Sequence, residues 1–103
     1  MDVSQFGEKI TDKNVIVLDV RTPAEFAQGR IANSINIDVL SDYFMADIAG
    51  LDKDAQYAIY CRSGKRSVDA ATAMDELGLS TMNLTGGIIA WQESTNEIIT
   101  EIR

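Results

Sequence analysis

A chain of 103 residues, 46% of them hydrophobic and 24% charged, carries enough apolar material for one compact core and is neither disordered nor fibrous in composition. Nine basic against sixteen acidic side chains leave a net charge of −7, which disfavours general binding to nucleic acid or to anionic membrane surfaces. With no histidine and one cysteine, the chain excludes a Ser-His-Asp triad, a Cys-His dyad, an HExxH zinc site, a CxxC redox pair and an intramolecular disulfide.

The amino terminus, Met1-Asp2-Val3-Ser4, has neither a basic segment nor an apolar one, and no apolar run approaches membrane-spanning length, so the expected location is the cytoplasm. Val15-Ile16-Val17-Leu18 is a continuous apolar, β-branched run closing on Asp19, which predicts a strand covered on both faces. Thr22-Pro23-Ala24-Glu25 has the form of a capping box with proline at the first helical position, and predicts a helix that Gly29 stops. Residues 34–37 read as a short strand, and residues 40–49 place Tyr43, Phe44, Asp47 and Ile48 at the spacing of an amphipathic helix. Tyr57-Ala58-Ile59-Tyr60 repeats the strand pattern and closes on Cys61. Beyond it Val68, Ala71, Met74 and Leu77 form a helical stripe over 67–77, with Gly78 placed as a C-terminal cap. Residues 81–84 read as a final strand, followed by Gly86-Gly87 and a short helix around Trp91. The alternation of strands and helices points to one α/β domain over 1–103, in which ligands bind at the carboxyl ends of the strands. Asp19 and Cys61 both lie at such ends.

The segment Tyr60-Cys61-Arg62-Ser63-Gly64-Lys65-Arg66-Ser67 puts a thiol at a strand end, three cations within five residues, a permissive glycine and a helix start directly after it. Such a loop curls so that backbone N–H groups and the positive helix end point at the sulfur, an arrangement that stabilises an anion. Lowering a thiol pKa by ~2 units takes ~2.7 kcal/mol of preferential stabilisation of the thiolate. One cation ~5 Å away at an effective dielectric of ~20 supplies up to ~3 kcal/mol before screening. A lone free cysteine is more often a buried, inert small hydrophobe, and a charge run is usually a solvated face. The combination of the two argues for an ionised nucleophile.

Four segments taken in order resemble the signatures of rhodanese domains: Asp19-Val20-Arg21-Thr22-Pro23-Ala24-Glu25-Phe26, then Gly29-Arg30-Ile31, then Cys61 to Arg66, then Gly86-Gly87-Ile88-Ile89-Ala90-Trp91. Any one of them is weak, and the four in sequence are highly specific. The resemblance implies an α/β rhodanese-like fold, a five-stranded parallel sheet with helices on both faces. It also implies that Cys61 is the catalytic residue, taking the outer sulfur of a small anionic donor such as thiosulfate as a persulfide and passing it to a thiol or cyanide acceptor. Arg62, Ser63, Gly64, Lys65 and Arg66 would then bind the substrate, the loop N–H groups holding the persulfide and the cations holding the donor's sulfite portion. No metal or organic cofactor is implied. A protein persulfide partner is also compatible with a cationic mouth in an acidic exterior. Arg62 directly after Cys61, and Gly64 two positions further, resemble thiosulfate-preferring loops rather than those of mercaptopyruvate enzymes.

The chain departs from the family pattern at Arg30, where histidine is common, and at Ala32-Asn33, where proline-glycine is common; altered loop packing is the expected consequence. Asp19, Arg21 and Glu25 read first as a structural ion-pair network, Ser67 as loop support and Trp91 as core packing. The tail over 92–103 is open to two readings, a docked helix or an oligomer contact. The rival readings are a phosphatase or arsenate reductase of the same fold and a non-catalytic binding module. Cysteine-dependent phosphatases resemble a Cys-x5-Arg loop, whereas Cys61 and Arg66 stand at Cys-x4-Arg, a tighter turn suited to one transferred sulfur. Binding modules of this kind often lack the cysteine, which is retained here.

Overall fold

In the computed structural model, which describes residues 1–94 together with Glu97 and Ile98, strands and helices alternate along the chain. The elements are α1 (Val3–Lys9), β1 (Val15–Asp19), α2 (Pro23–Gln28), β2 (Ile35–Asn36), α3 (Phe44–Ala49), β3 (Gln56–Tyr60), α4 (Lys65–Glu76), β4 (Ser80–Asn83) and α5 (Gly87–Glu93). The strands pair in parallel in the order β2-β1-β3-β4, with β1 and β3 in register from Val15 opposite Gln56 to Asp19 opposite Tyr60. Among the described residues the sheet has four strands, one fewer than the resemblance implies, within the same parallel, doubly covered architecture. Arg30 adds only an isolated bridge.

Strand parity divides the core into two layers. Ile16, Leu18 and Val20 from the β1 segment and Tyr57, Ile59 and Cys61 from the β3 segment face one side, where Phe44 and Ile48 of α3 and Ala70 and Met74 of α4 cover them. Val15, Val17, Ala58 and Tyr60 face the other, against Phe6 of α1 and Ile88 and Trp91 of α5. Because side chains alternate along a strand, Cys61 is committed by its position alone to the layer over which α4 lies.

Local signals explain the helix ends. Thr22 accepts the Glu25 N–H at 3.3 Å while the Glu25 carboxylate accepts the Thr22 N–H at 3.2 Å, the reciprocal capping box expected from the sequence. At the end of α4, Leu79 N–H bonds the Met74 carbonyl and Gly78 N–H bonds that of Asp75, both at 3.0 Å, a Schellman closure with Gly78 in the left-handed conformation. Helix α1 was not anticipated, although Asp2 and Gln5 form a capping box of their own. Helix α3 begins at Phe44 rather than at residue 40, because Asp38 and Ser41 side chains hold the preceding segment in turns by bonding the N–H groups of Leu40 and Tyr43. Of the stripe predicted for α4, Val68 is 52% exposed; the buried positions are Ser67, Ala70 and Met74. No helix among the described residues is long and apolar enough to cross a membrane.

Candidate active site

β3 ends at Tyr60, and the chain then leaves the sheet to make one tight turn before α4. Gly64 precedes the helix at φ 101°, a left-handed conformation that opens the turn and aims its N–H at the Cys61 Sγ, 3.0 Å away. From the third position of α4, the Ser67 hydroxyl lies 3.4 Å from the same sulfur and 3.1 Å from the Gly64 carbonyl oxygen. One hydroxyl proton serves one acceptor at a time, so a negatively charged sulfur competes for it directly. Cys61 is only 1% exposed. Burial pushes the thiol up, but hydrogen bonds from the Ser67 hydroxyl and from the backbone N–H groups of Ser67, Gly64 and Ser63 outweigh it, and the net direction is down. The thiol is thus acidified first by hydrogen-bond dipoles, as the predicted cradle required, with Arg66 also interacting electrostatically with the sulfur.

The back of the turn is fastened to α5. Ile88 N–H bonds the Cys61 carbonyl at 2.9 Å, and Ile89 N–H bonds that of Arg62 at 3.2 Å. Gly87 makes this approach possible: its φ is 61°, and a Cβ there would collide with the Cys61 and Arg62 carbonyl oxygens. The Gly86-Gly87 pair therefore belongs to the site as much as to the fold.

The three cations of the loop have different fates. Arg66 is engaged: its two terminal nitrogens meet the two Glu25 carboxylate oxygens at 2.8 and 2.9 Å. That guanidinium holds the Glu25 carboxyl down at about 2, against an ordinary 4.5, burial opposing. Arg62 and Lys65 are exposed, and neither makes an ion pair among the described residues. A cleft of about 270 Å³ opens beside the loop, with Arg62, Arg21 and Glu25 on one part of its wall and Ile88 and Ile89 on another.

Asp19, Arg21 and Glu25, read together from the sequence, divide between two pairs. Buried Asp19 pairs with Arg21 at 2.6 Å and accepts the Arg21 N–H, while Arg21 also donates to the Gly29 carbonyl at 2.6 Å. This ties the end of β1 to the end of α2. Tyr60 accepts the Ile31 N–H at 3.0 Å and donates to Ser34, and burial pushes its phenol well above the ordinary range. Trp91 is buried edge-on to Phe6, with ring centroids 6.0 Å apart, and donates to the Glu97 carbonyl at 3.0 Å. In the departing segment, Arg30 stacks over the Phe26 ring, and Asn33 takes a left-handed turn at φ 65°, where the family pattern has glycine. Of the tail, Gln92 and Glu93 complete α5 and Ile98 packs on the second core layer; Ile99 and Ile102 lie outside the described residues.

The model of the Rhodanese-like domain matches residues 2–94. A protein of Allochromatium vinosum named sulfurtransferase is 38% identical over 94 residues, covering 88% of this chain and 85% of its own. YtwF of Bacillus subtilis is 39% identical over 93 residues, covering 85% and 84%. Among solved structures, a rhodanese-related protein from Thermoplasma volcanium superposes with a TM-score of 0.87 at 36% identity, covering 98% of this chain and 97% of that one. With the fold, the loop and the order of motifs all in agreement, the chain belongs to the family of rhodanese-like domains.

Proposed function

We propose that the protein is a sulfurtransferase that carries a sulfane sulfur on Cys61, taken from thiosulfate or another persulfide-type donor and given to a thiophilic acceptor. The single observation that carries this reading is the loop itself, in which Gly64 N–H and the Ser67 hydroxyl converge on one sulfur and lower its pKa. Family membership and the name of the Allochromatium relative support sulfur transfer in general.

In the first half-reaction the Cys61 thiolate attacks the outer sulfur of thiosulfate. A new S–S bond forms, the donor's S–S bond breaks, and sulfite leaves with the electron pair. In the second, an acceptor such as cyanide or a thiolate attacks the outer sulfur of the persulfide, and Cys61 departs again as the thiolate. No net oxidation occurs and no cofactor is consumed. Each intermediate is an anion held by the same donors, so the loop stabilises the charge on the attacking, the carried and the departing sulfur alike. Arg62 and Lys65, which make no ion pair among the described residues, are the cations proposed to hold the donor's sulfite portion, with Arg66 contributing charge from within its pair.

Intact-mass measurement after exposure to thiosulfate tests the reading. A gain of ~32 Da that is absent from Cys61→Ser, together with thiocyanate formation from thiosulfate and cyanide, is the expected result. An unchanged mass, or thiocyanate production that survives Cys61→Ser, overturns it.

A further inference from the structure

The Glu25–Arg66 pair links α2 to α4, and it attaches to the helical turn that carries the sulfur's hydrogen-bond donors. Arg66 lies in the first turn of α4, immediately before Ser67 and two residues after Gly64. Gly64 and Ser67, which donate to the Cys61 Sγ at 3.0 and 3.4 Å, are therefore within two positions of the arginine that Glu25 grips at two points. Glu25 is itself rigidly placed, since Oε1 also accepts from the Thr22 N–H at 3.2 Å and the Thr22 hydroxyl at 3.1 Å. A two-point contact between a planar guanidinium and a planar carboxylate restricts rotation as well as distance.

We infer that Glu25 is a positioning residue, which acts through Arg66 to hold the start of α4 where Gly64 N–H and the Ser67 hydroxyl meet the Cys61 sulfur. The inference rests on the sulfur-transfer reading only for its effect on rate; its effect on the thiol stands by itself. The charged groups that bear on the sulfur are Arg66 on α4, which interacts with Cys61 and in turn with Glu25 on α2 and Asp19 at the end of β1, and Arg62 and Lys65 of the same loop. Their sum makes opposite predictions for two roles. Were Glu25 merely a nearby negative charge, its neutralisation would free the Arg66 field and lower the thiol pKa. As a clamp, its loss lets the helix start drift, the donors misalign, and the thiol pKa rises.

Glu25→Gln suits the test because glutamine keeps the capping box at the third position of α2 while removing the charge. Arg66→Lys is the companion, keeping the charge but losing the two-point fork. Thiolate absorbance would be titrated in the full chain, and kcat/KM for thiosulfate followed against pH. In both variants the thiolate titration should move up by about one unit, with an about tenfold loss of kcat/KM at neutral pH that recovers at alkaline pH. A titration that is unmoved or shifted down in either folded variant overturns the clamp, whatever happens to melting temperature. If the unsubstituted protein transfers no sulfur, the preceding proposal fails, and the titration still decides this one.

Discussion

At Cys61 two opposed effects act on a single atom: burial resists the negative charge, and directed N–H and O–H dipoles more than compensate. Direction matters more than distance here, because a dipole aimed at the sulfur retains its effect in a water-poor site while an exposed cation is screened. On the proposed reaction, exposed Arg62 and Lys65 are then the cations left to the donor. Arg62→Ala and Lys65→Ala should each raise KM for thiosulfate by about three- to tenfold, with the thiolate titration little changed, consistent with loss of a partly screened ionic contact. Steady-state kinetics checks this, and an unchanged KM in both removes their assigned role. At this scale the sequence was legible in kind but not in partnership. It pointed to Cys61 and its cations, yet nothing in the spacing of Arg66 tells that it turns to Glu25, 41 positions earlier in the chain. Such pairing depends on how α2 and α4 are laid side by side, which is a property of the sheet.

Among the elements, β3, α4 and α5 build the site between them: β3 delivers the sulfur, α4 brings the donors, and α5 braces the turn from behind. Ser67 owes its role to helix phase. The stripe read from Val68 was displaced by one residue because side-chain hydrophobicity alone weighed Val68 above Ser67. In the fold, serine is buried because its hydroxyl has the sulfur and the Gly64 carbonyl to satisfy it. Helix α1 was passed over for a related reason: its core contribution is chiefly one side chain, Phe6, and its clearest signal is the Asp2–Gln5 box. Gly87→Ala tests the brace. An L-residue at φ 61° costs about 1–2 kcal/mol in backbone conformation alone, and the added methyl must also displace the Cys61 and Arg62 carbonyls. Denaturant unfolding should show a loss of at least about 2 kcal/mol, accompanied by a marked loss of sulfur loading on Cys61. Gly78→Ala, where a Cβ meets no atom within 4 Å, provides a control for conformational strain without collision.

For the molecule as a whole, two apolar layers on a parallel sheet supply stability, and the ion pairs tie loops to that frame. Layer membership was legible, since the runs at β1 and β3 demanded cover on both sides. The four strands were legible in the residues, the two-residue β2 within 34–37 included, whereas the fifth strand that the resemblance implies is absent among the described residues. The acid limb of stability follows from Glu25. Its carboxyl is depressed in the folded state, so its contribution is complete above its ordinary 4.5 and is lost as pH falls toward about 2. The difference in unfolding midpoint between the native protein and Glu25→Gln should therefore be widest near neutrality and close across that interval. A difference that stays constant down to pH 2 would mean that Glu25 holds no ionised pair.

The bracing of the turn has a chemical corollary. The oxygens of Cys61 and Arg62 are engaged by α5 while the Gly64 N–H points at the sulfur, so the side of the turn that faces Cys61 Sγ is electropositive. Its electropositive sign comes from peptide bonds, which do not titrate. Support of this kind for an anionic sulfur depends on no side chain's protonation, and on the proposed reaction it serves the loaded and the empty sulfur alike.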